Sequence, residues 1–429
     1  MIKVLHFIHG LNTGGAETLV KEYALGLDKH IFDVTVLCLE RYPESPYEEE
    51  LESHGIKVIF ICDYVKNFYG QSIPDKVIKH YRAHRIIRKI IHEIRPDIIH
   101  YHLTLSIYLL TAGIPDSCSL FLTVHNEPEV IWDHHLGSRI DFHTAQYFVS
   151  HRGMTLIALH EKMRQQLMDM FHTQNVLQLN NGINFEKYET LQESKTAIRD
   201  SLRIPPNDFV IGHVGRFSVQ KNHEFLIDVF HEVAGRNPRA FLLMVGAGEE
   251  RPKIEEKIHS YGLDERILIL DNRNDIPRMM RAMDVFVFPS KFEGLGIVLI
   301  EAQKSGLPCV VSDRVPDAAE VTSLVHRLPL SAGAQKWADA IESAVKEKGP
   351  VVSEGLEDWD IRKACRKLES FYLTSQTSHT ENIPYALINQ LELNVESHSR
   401  TLLCTQTTHP KSGQIVQESF QERFDQQDF

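Results

Sequence analysis

The chain has 429 residues, enough for two or three domains with cores of their own. A formal charge of −12 argues against general nucleic-acid binding, and 42% apolar with 24% charged residues is the balance of a globular chain. No apolar run reaches the roughly 18 residues a membrane helix needs, Met1–His9 is too short for a secretory leader, and Cys38, Cys62, Cys118, Cys309, Cys365 and Cys404 form no Cys-x-x-Cys pair. Together these features predict a cytoplasmic chain with reduced cysteines and no zinc ribbon.

Taken in order, Lys3–His9 is an apolar run that predicts a buried strand, Gly10-Leu-Asn-Thr-Gly-Gly-Ala-Glu17 a glycine-rich turn, Thr18–Leu27 an amphipathic helix and Asp33–Leu39 a second strand. That alternation opens a doubly wound α/β domain, in which ligands sit at the carboxyl ends of the strands. Gly10, Gly14 and Gly15 do not space as GxGxxG, so a nicotinamide dinucleotide site is disfavoured. Further strands are expected at Val58–Cys62, Pro96–His102, Leu120–Val124, Thr155–Leu159 and Val176–Leu179. The long helix Asp75–Arg95 carries Lys76, Lys79, Arg82, Arg85, Arg88, Lys89 and Arg95 against only Asp75 and Glu93. Its plainer reading is a solvated face whose apolar side packs on the sheet. The alternative is peripheral contact with the anionic inner face of the plasma membrane. His125 directly follows the Leu120–Val124 strand, where a side chain points into the crevice or is simply satisfied by backbone.

Residues 184–206 are polar, contain Pro205-Pro206, and read as a linker with a helix; a second α/β domain starts at Phe209. Its first strand ends near Phe217, and the loop to helix His223–Ala234 is flanked by Arg216 and Lys221. Cations beside a helix N-terminus make an anion site. Gly246 and Gly248 end the next strand, Phe241–Val245, and would let a nucleotide approach the turn. After helix Asp275–Met283 comes the apolar strand Asp284–Ser290, ended by Pro289, then the loop Glu293-Gly-Leu-Gly296 and helix Ile297–Lys304 with Gly306 as its C-cap. Glu301 lies eight residues beyond Glu293. A carboxylate would repel a phosphate, so both acids suit neutral hydroxyls of a ligand whose phosphates rest on the Gly294, Leu295 and Gly296 backbone. Sugar hydroxyls near a diphosphate meet that demand; a solvated acid plus one favoured by the helix dipole is the plainer alternative. Pro308–Ser312 is a further strand, and Glu357–Phe371 the last amphipathic helix. Asp358-Trp-Asp360 matches an Asp-x-Asp metal motif as text, but it opens that helix and fits an N-cap better. Residues 376–429, rich in Gln, Thr and Ser, read as a polar tail, disordered or self-associating.

Pro289-Ser290, Glu293-Gly-Leu-Gly296 and Glu301 resemble the Glu-x7-Glu motif of retaining glycosyltransferases of family 4 with the GT-B fold. Gly215–Asn222 resembles that family's diphosphate clamp, Gly14-Gly15-Ala16-Glu17 its N-terminal loop, and Asn181-Gly-Ile183 the closing turn of its first domain. The resemblance implies an α/β GT-B fold of two facing Rossmann-like, doubly wound domains with the site in the cleft between them. It implies an acceptor-side domain at 1–183, a linker at 184–206, a donor-nucleotide domain at 207–356, a helix at 357–375 crossing back to the first domain, and the tail at 376–429 outside the match. It implies a nucleotide-sugar donor, a glycan or lipid-linked acceptor, no further cofactor and no metal. By the same resemblance Glu293, His125, Arg216 and Lys221 are catalytic, and Gly14, Gly15, Arg216, Lys221, Gly246, Glu293, Gly294, Leu295, Gly296 and Glu301 hold the donor. Two departures stand out: His160 where relatives carry Ser after the strand, and Asp271 where they carry Gly. A nucleotide-sugar epimerase on the same fold and a non-catalytic binding or scaffold protein are the competing readings.

Overall fold

The computed structural model describes residues 1–377 apart from 13, 43–44, 66–67, 69–72, 133–134, 347–351 and 354, with residues 73–78 described by backbone alone. Residues 378–429 of the expected tail, with Cys404, and the side chain of Lys76 therefore lie outside the described residues, whereas Gln376 and Thr377 of that tail belong to a helix.

Apolar runs bounded by polar turns produce two all-parallel sheets. The first contains β1 (Ile2–Ile8), β2 (Phe32–Cys38), β3 (Lys57–Phe60), β4 (Ile98–His102), β5 (Ser119–Thr123), β6 (Thr155–Ala158) and β7 (Val176–Gln178), in the order β3-β2-β1-β4-β5-β6-β7. The second contains β8 (Phe209–Val214), β9 (Ala240–Val245), β10 (Ile267–Leu270), β11 (Val285–Phe288), β12 (Cys309–Ser312) and β13 (Val325–Leu328), in the order β10-β9-β8-β11-β12-β13. Helices cover both faces, so central strands such as β9 and β11 are buried along their whole length. The strand order reverses between β1 and β4 and again between β8 and β11, and the crevice at such a switch point is where doubly wound sheets bind ligands. The loops after β1, β5, β8, β9 and β11 carry the candidate site residues.

The second sheet is tied to the preceding segment by Asp284. Its carboxylate accepts from Lys195 Nζ at 2.7 Å, from the buried Arg199 at 2.7 Å and from the Val210 N–H at 2.8 Å. Burial alone would raise its pKa; these three donors outweigh it and hold the group below the ordinary carboxylate range. The stretch read as a linker thus holds two short helices, Glu186–Glu189 and Lys195–Ser201, of which the second is bonded to the second sheet through Asp284.

The last helix differs from its expected limits. Leu356–Trp359 forms a separate 3-10 turn, and the α-helix runs Ile361–Thr377. Asp360 starts it: its Oδ1 accepts from the Arg362 N–H at 2.9 Å, and Trp359 is buried beneath. This helix packs on the first sheet through Cys365, Leu368, Phe371 and Tyr372. Gly26 leaves no room for a Cβ opposite the Cys365 thiol, and Ile183 bridges Asp360 in a short parallel pairing. Strand β13 and helix Ala334–Ala344 are absent from the expectations above. Among the described residues no helix is long and apolar enough to cross a membrane.

Candidate active site

A cavity of about 910 Å³ opens between the two sheets, lined on one side by the loop after β1, His125 and Asn126, and on the other by Gly215, Arg216, Gln220, Lys221, Gly246, Glu293–Val298 and Glu301. Glycines permit its walls. Gly246 has φ +145° and abuts the Gly215 carbonyl, where a side chain would collide. Gly296, at φ +82°, is the N-cap of helix Ile297–Lys304. Gly15 opens helix Gly15–Gly26 on the opposite wall and faces Ile297: a Cβ there would lie 3.6 Å from its Cγ2. Two helix N-termini thus face one another across the cavity, and both favour negative charge between them.

Glu293 is buried at 5% exposure, with Oε1 on Lys221 Nζ at 2.7 Å and Oε2 on Gln220 Nε2 at 3.3 Å. The Lys221 ammonium also lies 4.8 Å from the centre of the Phe288 ring. A carboxylate has about four acceptor positions, so two donors leave it able to take ligand hydroxyls. Arg216 stands apart. Its side chain is exposed and bonds Glu249 at 3.0 Å. The structure therefore joins Lys221 to Glu293 but leaves Arg216 on the rim.

Glu301 lies beside Tyr188. Burial pushes its carboxyl up to about 7, raised further by Glu22 and partly offset by the Tyr188 hydroxyl and Lys187. Glu17, in the first turn of helix Gly15–Gly26 on the opposite wall, is likewise pushed up to about 7 by burial, with its own backbone N–H and Arg216 opposing the rise. Behind Glu301, Glu22 accepts from the buried Lys21 at 2.6 Å and from Lys187 at 3.4 Å. There burial is outweighed, and Glu22 is held below the ordinary carboxylate range. Asp271, at the rim, is paired with Arg251.

The two walls meet at Gly294. A Cβ on it would strike the His125 carbonyl oxygen and come within 2.6 Å of Asn126 Cα, so the two backbones touch directly. The Gly294 carbonyl accepts from His160 Nε2 at 3.0 Å. His160 is the N-cap of helix Glu161–Phe171, and its Nδ1 accepts from the Met163 N–H at 3.2 Å. Burial lowers its pKa, so the ring is neutral; with Nδ1 an acceptor, the proton must sit on Nε2 and point at Gly294. One imidazole thus caps a helix on the first sheet and holds the glycine loop of the second. Sequence reasoning marked His160 only as a departure; nothing local reveals a partner so distant in the chain. His100 and His102, on β4, are both fully buried.

Two facing parallel sheets with their switch points on a common cleft define the GT-B architecture. Residues 13–187 match the description "Glycosyltransferase Family 4", and residues 194–364 match "Glycosyl transferases group 1". EpsF of Bacillus subtilis (strain 168), which carries a provisional glycosyltransferase name, is 29% identical over 81% of this chain and 89% of its own length. An Escherichia coli UDP-Gal:alpha-D-GlcNAc-diphosphoundecaprenol alpha-1,3-galactosyltransferase is 25% identical over 73% of this chain and 79% of that one. The crystal structure of HepE from Anabaena, in complex with UDP and glucose, is 20% identical with a TM-score of 0.65, covering 89% of this chain and 99% of the other. The chain belongs to glycosyltransferase family 4, with the GT-B fold.

The doubly bonded ring of His160 yields a stability test. His160→Ala removes both the cap and the Gly294 bond and should lower unfolding stability by about 1–3 kcal/mol. His160→Asn can still cap but is too short to reach Gly294, so it should recover roughly half of that loss. A His160→Asn variant with the wild-type urea midpoint would show that the bond across the cavity contributes nothing.

Proposed function

We propose that this glycosyltransferase moves a sugar from a UDP-linked donor to an acceptor hydroxyl with retention of anomeric configuration. The observation that carries this reading is that one cavity holds the Lys221–Glu293 pair, the glycine loop opening helix Ile297–Lys304, and His125 from the facing sheet. Glu293, oriented by Lys221 and Gln220, accepts hydrogen bonds from donor-sugar hydroxyls. Glu301 accepts from the ribose. The Gly294–Gly296 backbone, the Gly14-Gly15 loop, Lys221 and Arg216 receive the diphosphate, with Arg216 leaving Glu249 to do so; fixed charge of this kind is usually the largest catalytic term. The bond from the anomeric carbon to the phosphate oxygen breaks as the bond to the acceptor oxygen forms on the same face, and the acceptor proton passes to the departing phosphate. The E. coli relative, a UDP-Gal:alpha-D-GlcNAc-diphosphoundecaprenol galactosyltransferase, and HepE, crystallised with UDP and glucose, support a UDP-sugar and a glycan or lipid-linked acceptor in cell-surface polysaccharide assembly.

Divalent metal is not required in this scheme, because two cations and two helix N-termini meet the diphosphate. The Asp358 and Asp360 carboxylates, which match a metal motif as text, are instead bonded to Lys363 and Arg362. With UDP-glucose and UDP-galactose as trial donors and a lipid-linked glycan as acceptor, turnover should persist in excess chelator and the product should keep the donor's anomeric configuration by NMR. Glu293→Ala should fold normally and lose about a hundredfold or more in turnover. Loss of activity in chelator restored by manganese, or full activity in that variant, would overturn the scheme.

The Glu301 carboxyl, raised to about 7 by burial, predicts a pH dependence. The ionised form is the better acceptor for a hydroxyl, and it fills as pH rises through that value. Donor KM should therefore fall between about pH 6 and pH 8, and Glu301→Gln should flatten the profile. A wild-type KM independent of pH over that window would remove Glu301 from the donor site.

Peripheral membrane contact is the second part of the proposal. On helix Ile73–Ile94 the side chains of Tyr81, Arg82, Arg85, Arg88 and Lys89 are exposed together, whereas Lys79 turns inward to Glu40 at 3.1 Å. An aromatic residue within a basic face suits an anionic lipid surface. Changing Arg82, Arg85, Arg88 and Lys89 to Gln should abolish salt-sensitive co-sedimentation with phosphatidylglycerol vesicles. Unchanged sedimentation would leave the helix as scaffold.

A further inference from the structure

Parallel pairing of β1 with β4 sets His6 opposite His100, and alternation along β4 puts His102 on the same face as His100. Three imidazoles therefore crowd one side of the first sheet, all with no measurable exposure. His100 is spoken for by two hydroxyls, Tyr372 Oη at 2.6 Å and Thr123 Oγ1 at 2.7 Å. The other two rings form a line. His6 Nδ1 lies 3.1 Å from His102 Nε2, and His102 Nδ1 lies 3.0 Å from His125 Nε2. His125 is half-buried and lines the cavity. A continuous row of hydrogen-bonded imidazoles thus runs from the core of the first sheet to the active-site wall.

Burial keeps the row uncharged: the pKa values of His6 and His125 are pushed down to about 3, and that of His102 well below the ordinary histidine value. Each neutral ring has one N–H and one lone pair. Because the rings bond head to tail, only two arrangements satisfy both contacts, and each fixes all three tautomers at once. In one, every proton is on Nε2, His125 offers a lone pair at Nδ1, and His6 is left with an N–H at Nε2. In the other, every proton is on Nδ1, His125 offers an N–H at Nδ1, and His6 is left with a lone pair at Nε2. The deciding atom is His6 Nε2, which is buried and has no hydrogen-bond partner among the described residues. A buried N–H without an acceptor is the rarer and costlier orphan; an unused lone pair is better tolerated.

We propose that His102 and His6 are positioning residues that fix His125 as its Nδ1–H tautomer, so that this N–H is donated into the cavity to an oxygen of the transferred sugar. That recipient rests on the reading of the cavity as the donor-sugar site; the tautomer itself does not. A ring held this way donates to a hydroxyl or ring oxygen and does not take a proton from the acceptor. Each ring polarises the next, which strengthens the final donor. The same geometry weighs against a metal in the His6, His100 and His102 cluster, since the lone pairs an ion would need are already engaged, except that at His6 Nε2.

Long-range proton–nitrogen NMR on the full chain labelled with ¹⁵N-histidine reads each tautomer without substrate. Protonation of His125 on Nδ1, unchanged between pH 6 and pH 8, is the expected result; a proton on Nε2 overturns the proposal, as does a stoichiometric metal ion that survives dialysis. Turnover adds a second readout. His102→Phe should release His125 into a tautomer mixture and lower kcat about tenfold with donor KM changed less than about twofold. His102→Asn, whose amide nitrogen stands where Nδ1 was, should restore both the His125 tautomer and most of kcat. An Asn variant no better than Phe, with melting temperatures alike, overturns the positioning role. If the tautomer is as expected but His125→Ala leaves transfer untouched, the sugar-site reading fails and the row of tautomers stands.

Discussion

Contact between two backbones at Gly294 is the constraint on which the cleft depends. The loop that follows β11 reaches the first sheet closely enough that a methyl group on Gly294 has nowhere to go. Everything the loop carries is placed by that contact. Glu293 precedes it and is turned back onto Lys221; Leu295 and Gly296 follow and start helix Ile297–Lys304. On the other side the touched residues are His125 and Asn126, so the same contact fixes where His125 stands relative to Glu293. The His160 N–H to the Gly294 carbonyl then uses the polar group that the close approach would otherwise bury without a partner. Glycine here is required by the seam between the sheets, whatever its backbone also offers a phosphate.

The charges in the cleft follow one rule. Where a carboxylate has an ammonium bonded to it, the charge survives burial, as for Glu22 with Lys21 and Lys187. Where it has none, burial prevails, and Glu17 and Glu301 are both pushed to about 7. His6 and His102 in the core of the first sheet, and His125 at the cavity wall, have no carboxylate partner among the described residues and are neutral for the same reason. An anionic ligand entering the cleft therefore meets less negative charge than the formal count of acids suggests, although the chain as a whole carries −12. Local desolvation, and not the overall composition, sets the field a diphosphate would feel.

The parts of the molecule legible in the sequence are those whose signals are local. Apolar runs such as Leu120–Val124 and Asp284–Phe288 become central strands because parallel sheets bury both faces. Glycines at 294 and 296 with acids at 293 and 301 mark a strand–loop–helix unit that forms as read. What stayed hidden depends on pairing between distant segments. The His6–His102–His125 row needs the register of β1 against β4, and the His160 bond needs the two sheets to be docked. Strand β13, Val-His-Arg-Leu, is only half-buried and carries two polar residues, so it lacks an apolar run to announce it. The Asp360 cap was weighed against Asp358, and geometry selects Asp360 because its carboxylate reaches the Arg362 N–H. Lys79 looked like part of a basic face, yet Glu40, far off in the chain, turns it inward.

The chain passes between the two sheets twice, and the two passages lie side by side. The outward one leaves β7 through Ile183, and the return one enters helix Ile361–Thr377 through Asp360. The Ile183 N–H donates to Trp359 O at 2.7 Å, and the Ile361 N–H donates back to Ile183 O at 3.0 Å. Two passages at separate edges would brace the sheets against any rotation. Two passages bonded to each other leave one line about which a sheet can turn with little strain on either passage, which is how hinged domains are built. Rotation about that line would leave the packing of Tyr372 and Cys365 on the first sheet intact, because the returning helix belongs to that side. Among the described residues, the contacts it must break include the backbone touch of Gly294 with His125, the bond from His160, and the Asn272 amide bonded to Asn12 at 3.3 Å. The Gly294 contacts adjoin Glu293 and His125, and the Asn272–Asn12 bond lies at the rim of the cleft. Any change in the width of the cleft therefore moves Glu293 relative to His125.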